Sequence, residues 1–117
     1  MPVVRVDIPH GHSNDTKAAL KEAIRDAIIT TIDPKITKYI YIAIRDAYAE
    51  FGDGAPLITV DLRPGRETER KAALAESLSK AFTEALGTRP EDLYLLFRET
   101  PASQHYCGGQ PLPDWQP

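Results

Sequence analysis

Apolar positions along the chain switch between strand-like and helix-like spacing, and the switches come in two matching sets. Residues 3–8, VVRVDI, and 57–62, LITVDL, are dense in β-branched and apolar side chains, the composition of strands. Each is followed by a turn with a glycine, Gly11 or Gly65. Apolar residues then recur four apart: Leu20, Ile24, Ile28 and Ile32 in the first set, Leu74, Leu78, Phe82 and Leu86 in the second. That spacing predicts two amphipathic helices. Asp15 in one and Glu67 and Glu69 in the other put negative charge near the helix starts, where the macrodipole favours it. Asp33-Pro34 is predicted to stop the first helix, and Gly87 with Pro90 the second. A third stretch, YIYIAI (39–44) or LYLLF (93–97), again reads as a strand.

The two sets are copies. At a constant offset of 54, residues 2–27 and 56–81 share ten identities, among them Pro2/Pro56, Asp7/Asp61, Gly11/Gly65, Lys17/Lys71 and Leu20/Leu74. Average residue usage gives about two such matches by chance, so the chain carries an internal duplication. Further on the offset drops by one, and Tyr41, Ile44, Arg45 and Asp46 meet Tyr94, Phe97, Arg98 and Glu99. The predicted organisation is a single domain, 1–117, of two βαβ repeats (2–54 and 56–109) followed by a tail (110–117). A βαβ crossover is right-handed and makes its strands parallel. The expected fold is therefore α+β: a tandem βαβ repeat forming a four-stranded mixed sheet with two helices on one face. The strands are apolar almost throughout, the pattern of strands buried on both faces. Little chain remains to cover the second face, so an obligate oligomer is expected.

Composition narrows the function classes. The 117 residues are 42% hydrophobic, enough for one core, and net charge is −3 with basic and acidic residues interleaved. The basic stripe of a nucleic-acid binder is missing. One cysteine, Cys107, excludes an intrachain disulfide and suits a reducing, cytoplasmic setting. No apolar run reaches the length of a membrane span and no export leader is indicated. Cys107 is expected as a buried small residue in the GG turn, and Trp115 as a cover for apolar surface. No His/Cys/carboxylate cluster offers a metal site, and no organic cofactor is implied.

Candidate chemistry lies where the copies differ. If the two first strands pair antiparallel about a local two-fold axis, Pro2 faces the turn RPGRETER (63–70). Arg63 and Arg66 stand there, where the first copy has Pro9 and His12. Once Met1 is removed, Pro2 is a secondary amine on a rigid ring. An α-amino group has a pKa of about 7.7–8.0, and two neighbouring guanidinium groups would disfavour its protonated form. The result is a general base usable near neutral pH. Paired arginines in a turn suit a carboxylate, each offering a planar fork of donors. One site per chain is expected, with the amine from the first copy and the cations from the second. Two βαβ units can equally form a ferredoxin-like ligand-binding or structural domain, since fold alone decides no function.

The pattern P-x8-G-[R/H]-x4-K, at Pro2, Gly11, His12 and Lys17 and again at Pro56, Gly65, Arg66 and Lys71, resembles the tautomerase superfamily. Its short members, such as 4-oxalocrotonate tautomerase, are similar to one half of this chain, and its longer members to a fused pair. The segment FRETPASQ (97–104) most resembles the cis-3-chloroacrylate dehalogenase group. The resemblance implies a tautomerase-like fold, a trimeric barrel assembly and a cofactor-free isomerase for small carboxylates, with Pro2 as acid or base after loss of Met1. It implies Arg66 as a catalytic and Arg63 with Arg66 as a carboxylate-binding pair. Departures are equally specific: where the dehalogenase group has a helix histidine, a strand tyrosine and a water-activating glutamate, this chain has Ile28, Leu96 and Cys107. The second-strand arginine of the short tautomerases falls at Tyr41 and Tyr94, and an active-site aromatic falls near His105 or Tyr106. Pro2 and Arg66 are thus the catalytic candidates, and Arg63, Arg66, Tyr94 and His105 the substrate-binding ones. The expected reaction is keto–enol tautomerisation of a 2-hydroxy-alkenoate or 2-oxo acid. Hydration, dehalogenation or decarboxylation by the same proline is the alternative.

Overall fold

A computed structural model describes residues 2–33, 40–47, 56–65 and 68–111. The chain runs β1 (Val3–Pro9), α1 (Asn14–Thr31), β2 (Tyr41–Ala47), β3 (Leu57–Leu62), α2 (Thr68–Leu86) and β4 (Tyr94–Glu99), then a short hairpin of β5 (Tyr106–Cys107) and β6 (Gln110–Pro111). The four long strands form one sheet in the order β2-β1-β3-β4. β1 pairs parallel with β2 and β3 parallel with β4, while β1 and β3 meet antiparallel at the centre, Val3 opposite Asp61 and Asp7 opposite Leu57. The mixed sheet and the local two-fold between copies are both present.

Local chemistry explains the helix limits. Ser13 adopts extended backbone angles and its Oγ accepts from the Thr16 N–H at 3.1 Å, capping α1. At the other end the N–H groups of Ile32 and Asp33 both reach the Ile28 carbonyl, and Asp33 takes a left-handed φ of 51°; Pro34 lies outside the described residues. α2 stops at Gly87, whose N–H bonds the Thr83 carbonyl at 3.0 Å. Gly11 and Gly65 turn the chain between strand and helix at φ of 112° and 101°, a region closed to residues with a Cβ. The duplication is thus conformational as well as chemical. The third strands sit slightly later than the pattern places them: β2 runs from Tyr41 to Ala47 and β4 from Tyr94 to Glu99.

Both helices lie on one face and the core lies between them and the sheet. Val4, Val6 and Ile8 of β1 and Ile58, Val60 and Leu62 of β3 are fully buried against Leu20, Ile24 and Ile28 of α1 and Leu74, Leu78 and Phe82 of α2. The four-apart positions of the sequence are this core, Leu86 being the only partly buried one.

The second sheet face corrects an expectation. Its residues are not uniformly apolar, because Arg5, Asp7, Arg45, Asp61 and Arg98 alternate onto it, while Asp46 and Glu99 at the strand ends fall on the helix side. Register sets out three rows: Tyr41, Val3, Asp61 and Arg98; Ala43, Arg5, Thr59 and Leu96; Arg45, Asp7, Leu57 and Tyr94. Asp61 bonds Arg98 at 2.8 and 3.0 Å, and Asp7 bonds Arg45 at 3.0 and 3.5 Å. Ion pairs therefore occupy two opposite corners, and Tyr41 with Val3 and Tyr94 with Leu57 the other two. Tyr41 and Tyr94 are 57% and 66% exposed, so in one chain these corners meet water. The many β-branched residues hid an ordinary in-out alternation.

Candidate active site

The candidate site begins with how the sheet holds Pro2. Its ring is buried, and its carbonyl accepts the Tyr41 N–H at 3.1 Å, so the start of β1 is fixed to β2. Pro56 is held the same way in the second copy, by Tyr94 at 3.3 Å. Extending the β1–β3 register by one step sets Pro2 opposite Leu62, with Arg63 next in the chain. Arg63 is 7% exposed and is the one buried charged residue among those described. Burial strips a guanidinium of water, a cost that only an acceptor or an anion offsets. The antiparallel pairing predicted from the duplication thus brings Pro2 and Arg63 to one sheet end.

The C-terminal part of the chain reaches that same end. The Thr100 N–H donates to the Leu62 carbonyl at 2.7 Å, continuing the β3–β4 ladder. The backbone then makes a 3-10 turn at Ala102–Gln104 and returns His105, half-buried, so that its Nε2 donates to the Thr100 carbonyl at 3.2 Å. A carbonyl only accepts, so this contact places a proton on Nε2 and leaves Nδ1 as the ring atom that can face a ligand. Lys71, in the first part of α2, pairs with Glu99 at the end of β4, on the row that contains Leu62. Sequence reasoning did not single out this pair, although the repeated lysine was its signal.

Not every candidate converges. Arg66 lies outside the described residues, as do Met1, Glu67 and Trp115. Tyr94 pairs with Leu57, at the start of β3, five residue steps from Leu62; at about 3.3 Å per residue this is about 17 Å along the strand. One chain therefore keeps Tyr94 at the sheet end opposite Pro2. The cause is the parallel β3–β4 pairing, which puts the first residue of β4 beside the first of β3. Tyr106 is 64% exposed in β5, and Cys107 is exposed where a buried residue was expected, because the Gly108-Gly109 turn carries the short hairpin into solvent. Ile28 is core and Leu96 is on the open sheet face.

Among the described residues electrostatic shifts appear in two pairs, Asp61–Arg98 one register row from Pro2 and Arg89–Asp92 at the opposite sheet end. Asp61 raises the Arg98 guanidinium above its ordinary value through their hydrogen bonds and then through charge. Arg89 and Asp92 shift each other in the same manner at the turn before β4, Arg89 upward and Asp92 downward, the side-chain hydrogen bond being the first cause for each. A shallow concavity of about 420 Å³, lined by Glu76, Lys80 and Glu84 among others, lies on the outer side of α2, remote from Pro2. Among the described residues no three His, Cys, Asp or Glu side chains stand together as a metal site, and no helix is long and apolar enough to cross a membrane.

Duplicated βαβ units joined antiparallel, with a proline starting the first and a buried arginine ending the strand beside it, define a class of small α+β proteins built as fused pairs. Comparison with known proteins agrees. The family model described as "Tautomerase enzyme" matches residues 56–114, just over half of the chain, and the chain belongs to this family. A "Probable tautomerase" of Bacillus cereus is 40% identical over 60 residues, spanning 50% of this chain and 97% of its own length. A relative of one repeat's length is what the duplication leads one to look for. Among solved structures, a fused 4-OT that forms a symmetric trimer superposes with a TM-score of 0.83 and 28% identity, covering 92% of this chain and 93% of its own. Malonate semialdehyde decarboxylase shares the fold alone, at 19% identity and a TM-score of 0.76 over 91% of this chain and 90% of its own.

Proposed function

We propose that the protein is a keto–enol tautomerase acting on small 2-hydroxy-alkenoates or 2-oxo acids, with Pro2 as the general base and acid. The observation that carries this is the meeting of the β1 start with Arg63 at one sheet end. Neutral Pro2 nitrogen takes the proton of the enol hydroxyl. As the O–C2 bond becomes a carbonyl, the C2–C3 π pair takes a proton from the prolinium at C3, and the amine is regenerated. Arg63 and Arg66 hold the carboxylate and stabilise negative charge on the 2-oxygen, and His105 flanks the substrate through Nδ1. No cofactor enters the cycle.

Two conditions attach to this reading. Met1 must be removed, because a residue preceding Pro2 turns its nitrogen into a tertiary amide without a basic lone pair. The working form is a cytoplasmic homotrimer, like the fused 4-OT trimer. The apolar corners of the open sheet face support association, and association is also the route by which Tyr94 of one copy could serve a site on the next.

Intact mass combined with phenylenolpyruvate ketonisation tests the proposal. The purified chain is expected to lack Met1, and Pro2→Ala to lose about 100- to 10,000-fold in kcat, the usual range for removal of a general acid–base group. Arg63→Ala and Arg66→Ala are expected to raise KM. Retained Met1 in an active preparation, or undiminished turnover in Pro2→Ala, would overturn it. Carbon dioxide release from malonate semialdehyde faster than ketonisation would favour decarboxylation by the same proline.

A further inference from the structure

Each copy of the repeat ties the start of its helix to the end of its last strand with one lysine. In the first, Lys17 Nζ bonds Asp46 Oδ1 and Oδ2 at 3.2 and 3.0 Å; in the second, Lys71 Nζ bonds Glu99 Oε1. The two clasps are matched in exposure, the lysine side chains being 25% and 24% accessible. Their surroundings differ. The first stands at the sheet end where β1 finishes in Pro9, while the second stands where β3 finishes in Leu62 and Arg63.

Glu99 is the register partner of Leu62, and Leu62 is opposite Pro2, so the second clasp acts on the row that contains the candidate base. The chain leaves the sheet at Arg63 and rejoins it through α2. Along the chain Arg63 therefore falls between two anchored elements, the β3–β4 ladder, closed by Thr100 N–H on the Leu62 carbonyl, and the helix that Lys71 pins to Glu99.

We propose that Lys71, through Glu99, is a positioning residue that fixes Arg63 beside Pro2 and so sets the affinity for carboxylate substrates. The inference rests on the tautomerase reading given above. An ion pair this accessible adds little to stability, so Lys17 and Lys71 are near-equivalent for folding. Displacing a binding group by about 1 Å can cost up to about 100-fold in rate. The two lysines are thus inequivalent for function, and the first clasp is a built-in control for the second.

The experiment compares Lys71→Met, Lys17→Met, Arg63→Ala and the charge-exchanged double variant Lys71→Glu/Glu99→Lys in the full mature chain. Melting temperature, kcat and KM for phenylenolpyruvate are measured for each. Lys71→Met is expected to raise KM about five- to tenfold with kcat within about twofold, Lys17→Met to leave both unchanged, and the exchanged pair to restore KM. Should Lys71→Met not fold, Glu99→Gln gives the same reading from the strand side. Equal KM for Lys71→Met and Lys17→Met, with Arg63→Ala impaired, overturns the positioning role alone. An unchanged KM in Arg63→Ala overturns the carboxylate-binding assignment and this inference with it. An exchanged pair as impaired as Lys71→Met also overturns it, because the clasp would then not act as a pair.

Discussion

Truncating Leu62 and its repeat counterpart Ile8 separates folding from function, because both side chains are fully buried at the ends of the two central strands. Leu62→Ala and Ile8→Ala each remove three carbons from a closed core. At about 0.8 kcal/mol per buried methylene the transfer loss is about 2.4 kcal/mol. The unfilled cavity brings the expected total to about 3–4 kcal/mol, within the range of about 2–5 kcal/mol seen for such truncations. A chain of this length has about 6–18 kcal/mol of stability at the usual 0.05–0.15 kcal/mol per residue, so both variants should fold. Urea denaturation at fixed protomer concentration measures the loss, concentration being held because association stabilises the folded state. Ketonisation is then assayed well below each transition. Both variants should lose similar stability, but only Leu62→Ala should lose kcat/KM, since Leu62 supports the row of Pro2 and Ile8 the row of Pro56. A loss below about 1 kcal/mol in Leu62→Ala would refute the packing argument. An equal fall of kcat/KM in Ile8→Ala would refute a site at one sheet end.

Two further outcomes follow from local geometry. Ser13→Ala removes the acceptor for the Thr16 N–H and should cost about 1 kcal/mol, read as a lower urea midpoint, whereas Ser13→Asp should retain the cap. Arg89 holds the Asp92 carboxyl below the ordinary carboxylate range. The depressed value means that this pair's stabilisation is complete above the ordinary aspartate range and is lost as pH falls through the lowered value. An NMR titration of the Asp92 side chain should show a midpoint below about 3.9, returning toward it in Arg89→Met; an unchanged midpoint in the variant would contradict the pairing.

Much of this fold is legible in the sequence because the duplication states the same pattern twice. The i, i+4 run of Leu20, Ile24 and Ile28 and its copy Leu74, Leu78 and Phe82 mark the helix faces that the core uses, and the shared offset implies the central antiparallel pairing. The open sheet face was misread because β-branched content was weighted above alternation: Arg5, Asp7, Arg45, Asp61 and Arg98 all point one way, and counting apolar residues cannot reveal direction. Of the candidate site, the approach of Pro2 and Arg63 follows from the local two-fold. Tyr94 stands apart from Pro2 within one chain because resemblance aligns residues along a chain, whereas the parallel β3–β4 pairing decides which sheet end each one occupies. The exposure of Cys107 was beyond reach because residue type does not say whether a turn packs on the core or, as the Gly108-Gly109 hairpin does, stands in solvent.

The hydrogen bond from Tyr41 to the Pro2 carbonyl has a practical side. The sheet takes hold of Pro2 only through its carbonyl, and the nitrogen on the other side of the Cα has no part in strand pairing. An affinity tag or any other leader fused ahead of Pro2 would therefore leave the ladder, the core and the melting curve intact while converting the amine to an amide. With Pro2 as the base proposed above, such a preparation would satisfy every criterion of a well-folded sample and still be silent in an assay. Recombinant work on this protein belongs with purification handles at the C-terminus, and mass spectrometry of the first residue belongs ahead of kinetics.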